Sequence, residues 1–168
     1  MTMEGVATRA GVGKPTVYRW WPDRHAVAMA ALMDAAAPQT SSRASRSAIV
    51  ALRQQLRTIA ESFATPTGRH VATMIAASDL ETEFSKAFRN HFVLARRAEG
   101  RALLEQAIRQ GEVRPDLDAE VALDLLYGPL FFRLLLGHAP LDASFTDEVL
   151  SHVLRGLARK NSPGRSIR

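Results

Sequence analysis

From Ile49 to Phe63 the apolar residues Ile49, Leu52, Leu56, Ile59 and Phe63 step along the chain by three and four. At 3.6 residues per turn, that spacing puts them on one face of a helix. The same rule recurs along most of the chain, and no alternating stretch of useful length offers a strand. The helix from Ile49 stops before Pro66, and a shorter apolar segment follows around Val71, Met74 and Ile75. Ser78-Asp79-Leu80-Glu81 has the form of a capping box, Ser at the N-cap and Glu three residues on. It predicts a long helix through Phe84, Phe88, Phe92, Ala95, Ala98, Ala102, Leu103 and Ile108, with Gly111 as its C-terminal stop. Asp118 is placed to cap the next helix. Its Val121, Leu123, Leu125, Leu126, Tyr127, Leu130, Phe131, Leu134 and Leu135 are apolar on more than one face, which predicts burial on several sides. Gly137 and Pro140 end it, and Asp142 restarts a last helix striped by Phe145, Val149, Val153 and Leu157. The fold class that follows is all-α.

The first forty residues are shorter in period and richer in small side chains. Val6, Ala7 and Ala10 share one side of a helix, Gly11-Val12-Gly13 makes a tight turn, and Lys14 to Trp21 begins a second short helix. Pro15 is tolerated there because the first helical turn has no intrahelical use for its N–H. The steric logic is that of a helix-turn-helix: Ala7 is small where the second helix crosses, Gly11 can take the left-handed turn, and Val12 and Val17 fill the corner. Pro22-Asp23 then caps a third helix, whose Val27, Ala30, Ala31 and Met33 could carry the unit onto the following bundle. The stretch Ala-Pro-Gln-Thr-Ser-Ser at 37–42 reads as the boundary. The organisation is therefore a head of residues 1–38, a bundle of residues 43–160 and a disordered basic tail of residues 161–168.

Charge adds little to this picture. The net charge is +5, and five basic residues with no acid lie from Arg155 onward, so the rest of the chain is neutral. Any claim of DNA binding must rest on pattern rather than on overall basicity. The chain has no cysteine. That excludes disulfides and thiolate metal sites and makes the cytoplasm the default expectation. No run approaches the roughly 18 apolar residues of a membrane span, and the start, MTMEGVATRAGVGK, lacks the basic-then-apolar form of a secretory signal.

The ungapped stretch from Val6 to Arg24, VATRAGVGKPTVYRWWPDR, resembles the DNA-binding domain of the TetR family of bacterial transcriptional regulators. Ala107 to Asp118, followed by Gly128-Pro129-Leu130-Phe131-Phe132-Arg133, resembles a C-terminal regulatory domain common in that family. The resemblance implies an all-helical homodimer, with the last two long helices of each subunit forming a four-helix interface and an effector cavity among the central helices. In the family a further helix precedes the position of Thr2-Met3. Its absence predicts that Val6, Val12, Val17 and Trp21 are more exposed than in a complete family member.

Within this motif Lys14, Pro15, Thr16, Tyr18, Arg19 and Trp20, with Arg24 at the next helix start, are the candidates for DNA contact. Lys and Thr near a helix start can reach base edges, while Tyr18 and Arg24 suit phosphate oxygens; the competing reading is a solvated helix face. Phe63, His70, Met74, Phe88, Phe92, Tyr127 and Phe131 are the candidates for a ligand pocket, although an aromatic stripe at helical spacing is more often packing. A pocket of this make-up, with few ionisable groups besides His70 and His91, suits a hydrophobic effector and leaves an anion without an Arg or Lys partner. Leu126, Leu130, Arg133, Leu134, Phe145, Val149, Val153 and Leu157 are expected at the dimer interface.

The histidines at 25, 70, 91, 138 and 152 have no i, i+3 or i, i+4 pairing, so no metal site and no cofactor is expected. Asp79, Glu81 and Glu83 read as helix-start acids rather than a catalytic cluster. With no phosphate loop or nucleophile elbow, no catalytic residue is assigned. The reading is a ligand-responsive repressor on a palindromic double-stranded DNA operator. The second reading is a dimeric ligand-binding module in which DNA binding is lost with the first helix.

Overall fold

The computed structural model describes residues 2–35 and 47–156. The boundary at 37–42, Leu157 and the basic tail lie outside the described residues. Among these residues the regular elements are all helical: α1 (Met3–Ala10), α2 (Lys14–Trp20), α3 (Arg24–Ala35), α4 (Ala48–Ala64), α5 (Pro66–Ala77), α6 (Glu83–Ala87), a π-helical stretch (Phe88–Val93), α7 (Leu94–Arg109), α8 (Ala119–Leu136) and α9 (Ala143–Arg155). None is long and apolar enough to cross a membrane.

Most boundaries follow the local chemistry of the chain. Thr2 accepts from the Gly5 N–H, Asp118 from Glu120 and Val121, and Asp142 from Phe145, each satisfying N–H groups that a helix start leaves free. Asp23 does the same for His25 and Ala26. Gly11 and Gly137 close α1 and α8 with φ of 68° and 61°, a conformation that a Cβ disfavours.

The expected capping box is not formed. Ser78 instead ends α5 by donating to the Met74 carbonyl, Asp79 accepts from Glu81 within a turn, and Thr82 caps α6 by accepting from Ser85. Several hydroxyl and carboxylate caps compete over a few residues here, and the one that closes the turn after α5 wins. The long helix foreseen from this point is interrupted by the π stretch, which holds Phe88 and Phe92 stacked with ring centroids 5.2 Å apart.

Helix α4 is the axis of the bundle, packing against α3, α5, α7, α8 and α9. It is buried on more than the single apolar face that its pattern shows, because Gln55, Thr58 and Ser62 are buried as well. Gln55 donates to the Arg96 carbonyl and to Glu99, so its amide is not left dry and unpaired. Phe63 is 1% exposed and receives Phe92 and Phe131 edge-on at 5.3 and 5.4 Å. Around it Leu52, Leu56, Val71, Leu104, Leu123, Leu126 and Leu150 form one continuous core.

The head has its own small cluster of Met3, Ala7 and Val17, flanked by Val6, Trp21 and Val27. Val17, expected to be more exposed than in a complete family member, is only 3% exposed in the cluster with Met3 and Ala7, whereas Val12 is 42% exposed. Helix α3 joins the two cores. Its Val27 packs on the head, while Ala28, Met29 and Leu32 enter the bundle core against α4 and α5. The bundle-facing residues are therefore not the Ala30 and Ala31 of the sequence reading: Ala31 is exposed, and only Met33 of that group packs beside the core.

Two glycines give a test of this packing. A Cβ on Gly68 would run into the Ser62 carbonyl oxygen and approach the Phe63 Cα to 2.5 Å, whereas one on Gly128 meets nothing within 4 Å. Gly68→Ala should lower unfolding free energy by about 1–3 kcal/mol or more, whereas Gly128→Ala should change it by less than about 1 kcal/mol, the helix propensity gained from alanine being opposed by its crowding against Pro129. Urea titrations of both variants check the contrast; equal effects would contradict the α4–α5 corner described here.

Candidate DNA interface and ligand cleft

Seven residues make α2, and of these only Val17 is buried. Lys14, Pro15, Thr16, Tyr18, Arg19 and Trp20 are all exposed, with Tyr18 at 49% and Trp20 at 71%. The candidate DNA residues thus share a short helix anchored by one valine on a cluster that α1 completes. Tyr18 and Arg24 line a shallow groove of about 310 Å³ with Thr2, Met3, Glu4, Pro22 and Asp23. Lys14 is not a free cation: its Nζ lies 2.8 Å from Glu4, whose hydrogen bond holds the Glu4 carboxyl below its ordinary range and raises the Lys14 ammonium. Trp21 is half-buried on the head cluster rather than turned outward with Trp20.

A cleft of about 320 Å³ opens beside α7 and α8, lined by Ile59, Phe92, Val93, Arg96, Arg97, Asp124, Tyr127, Gly128 and Phe131. Of the expected pocket residues, Phe92, Tyr127 and Phe131 are here. Phe63 stands behind them in ring contact with Phe92 and Phe131, and Phe88 stacks on Phe92. His70 and Met74 sit on α5 and do not line it, and His91 is exposed. The Tyr127 hydroxyl lies 2.8 Å from the Gln55 amide oxygen and 3.0 Å from the Arg96 carbonyl. Burial pushes the Tyr127 phenol well up, so the group stays protonated and can donate. Gly100 makes room for it, since a Cβ there would collide with that hydroxyl and come within 2.8 Å of Leu123.

The charged end of the cleft corrects the sequence reading, which left an anion without a basic partner. Arg96 and Arg97 line the cleft with side chains 17% and 21% exposed. Arg97 bridges α7 to α8 by pairing with Glu120 and Asp124, hydrogen bonds that raise its pKa further. Arg101 also pairs with Glu120, and Arg96 with Glu99 at 3.0 Å. The signal was present in the sequence: Arg97 and Arg101 are four apart on one helix, and Glu120 and Asp124 four apart on another.

The dimer candidates divide. Leu126 and Leu130 are 0% and 2% exposed within the chain's own core, so they have no surface to offer a partner. Arg133 lies 3.5 Å over the Phe145 ring and donates to the Pro140 carbonyl. Helix α8 is buried on one side only; Val121, Leu125, Phe132, Leu135 and Leu136 are each more than half exposed. Beside that face runs a groove of about 320 Å³ lined by Leu125, Pro129, Phe145, Val149 and Val153, with Glu148, His152 and Gly156. Leu134 is half-buried against the core.

Residues 45–153 match the family model described as "Tetracyclin repressor-like, C-terminal domain". An uncharacterized HTH-type transcriptional regulator of Bacillus subtilis (strain 168), YdeS, is 29% identical over 157 residues, covering 94% of this chain and 79% of the relative. The DNA-binding transcriptional repressor TetR of Mycobacteroides abscessus is 30% identical over 162 residues, covering 94% of this chain and 83% of the relative. The crystal structure of the TetR family transcription regulator SCO0332 superposes with a TM-score of 0.70 at 31% identity, covering 94% of this chain and 87% of that one. With its helix-turn-helix head and helical C-terminal bundle, the chain belongs to the TetR family of transcriptional regulators.

Proposed function

We propose that the protein is a ligand-responsive repressor that binds a palindromic operator as a homodimer, acting in the cytoplasm where the DNA is. The observation that carries this reading is α2, where one buried valine fixes a helix whose remaining side chains face outward. In this account Lys14, Thr16 and Arg19 face the major groove, Pro15 fixes the helix start, and Tyr18, Trp20 and Arg24 meet the backbone. Lys14 exchanges Glu4 for a phosphate or base edge as the complex forms. A head with its own buried cluster favours this over a ligand-binding bundle without DNA function. The head of residues 1–38 and the body of residues 43–160 are then the DNA-reading and regulatory units, with α3 common to both.

The second copy docks on the exposed face of α8 and the groove it makes with α9, through Leu125, Phe132, Phe145, Val149 and Val153. Five more-than-half-exposed apolar side chains on one helix are otherwise a liability in water. The effector, with a largely hydrophobic body, occupies the cleft at Phe92, Tyr127 and Phe131. It lowers DNA affinity by binding more tightly to the state whose two heads do not match the operator spacing.

Gel-shift titrations with palindromes selected from random DNA test the head. Arg24→Ala should weaken binding to every sequence and flatten the salt dependence by about one unit, while Thr16→Ala should change base preference. Failure to select any sequence would contradict the repressor reading.

Analytical ultracentrifugation tests the dimer. The unmutated chain should sediment as a dimer at micromolar concentration, and Leu125→Asp as a monomer with an unchanged helical circular dichroism spectrum. A monomeric unmutated chain would contradict the α8–α9 interface.

A further inference from the structure

The cleft beside α7 and α8 is chemically two-ended. Ile59, Phe92, Val93 and Phe131 make one end apolar; Arg96 and Arg97 line the other, paired with Glu99 and Glu120 outside the lining and with Asp124, the one carboxylate within it. Both guanidiniums are mostly shielded from water, whereas the Asp124 side chain is 72% exposed. Arg97 holds two acids of unequal standing. Glu120 is shared with Arg101, while Asp124 is bound to Arg97 alone among the described residues.

We infer that the cleft takes an amphipathic monocarboxylate, with its tail on the apolar end and its carboxylate on Arg97 in place of Asp124. This rests on the reading of the cleft as the effector site and names the class of effector. The exchange is permitted because one carboxylate replaces another. Arg97 stays paired with Glu120 throughout, no shielded charge is left bare, and Asp124 moves into water that already surrounds most of it. A guanidinium has five N–H donors and accepts a carboxylate in a forked geometry, so the new bond is at least as good as the one given up. A cationic ligand would have to take Asp124 while facing two guanidiniums, and a neutral one would leave the basic end unused. Asp124 is thus an internal competitor for the ligand's site. Its release cuts one of the ion pairs between α7 and α8, the helix that also carries the proposed dimer face.

Titration calorimetry of the full chain with octanoate, 1-octanol and octylammonium tests this. Octanoate should bind about tenfold tighter than octanol, the scale of one charge-assisted hydrogen bond, and octylammonium more weakly than either. Asp124→Asn, a change at an exposed side chain, should tighten octanoate several-fold and leave octanol unchanged. Arg97→Gln should bring octanoate down to octanol. Equal binding of octanoate and octanol, a preference for octylammonium, or no gain in Asp124→Asn would each overturn the carboxylate assignment while leaving an apolar effector cleft in place. Binding of none of the three would overturn both.

Discussion

Helix α3 is the constraint on which the rest of the molecule depends, because one short helix is a wall of two cores. Ala28 and Leu32 are each 1% exposed in the bundle, while Val27 closes the head. The head's own cluster holds three buried side chains, Met3, Ala7 and Val17. At about 1.5–3 kcal/mol for a large apolar side chain, less for alanine, such a cluster cannot offset the ordering of α1 and α2 by itself. The head is ordered because α3 is, and α3 is ordered because α4 and α5 grip it. His25 on the first turn of α3 adds a ring contact to Phe84 of α6, centroids 5.9 Å apart, so the N-terminal end of α3 also feels the segment that leads into the π stretch.

The cleft obeys a similar logic of shared walls. Tyr127 reaches from α8 to Gln55 of α4 and to the backbone of α7, and Gly100 is the vacancy that lets it do so. A buried hydroxyl with two partners is stable, but one moved away from them costs about 1–3 kcal/mol. The π stretch delivers Phe92 and Val93 to the cleft just before Arg96 and Arg97, so apolar and charged lining come from consecutive turns. A ligand seated there touches α4, α7 and α8 together. Through α4 it adjoins α3, so the proposed effector response has a contiguous line of packed helices from cleft to head.

Much of this was legible in the sequence because the residues had single jobs. Gly11, Pro15, Asp23, Asp118, Gly137 and Asp142 each have one sterically favoured place relative to a helix end, and each occupies it. The errors fell where residues had two jobs or competed. Ser78, Asp79 and Thr82 all could cap, and local reasoning could not rank them. The sequence does not separate Leu126 and Leu130 from the partner-facing residues because α8 is apolar nearly all round, and only packing decides which side the chain keeps for itself. Gln55, Thr58 and Ser62 are polar yet buried, so the pattern understated how enclosed α4 is. The π stretch carries no glycine or proline to announce it. The charged end of the cleft is hard to read from the sequence because Arg96 and Arg97 lie on a polar helix, where arginine normally signals solvent.

The dependence of the head on α3 is open to direct measurement by hydrogen–deuterium exchange of the intact chain. Amides of α3 should be protected to the same degree as those of α4 and should open with them, while α1 and α2 exchange faster through fluctuations of their small cluster. If α3 instead exchanges with α1 and α2 as one weakly protected unit while α4 remains closed, the head is an independent appendage, and the coupling of cleft to DNA described here has no physical carrier.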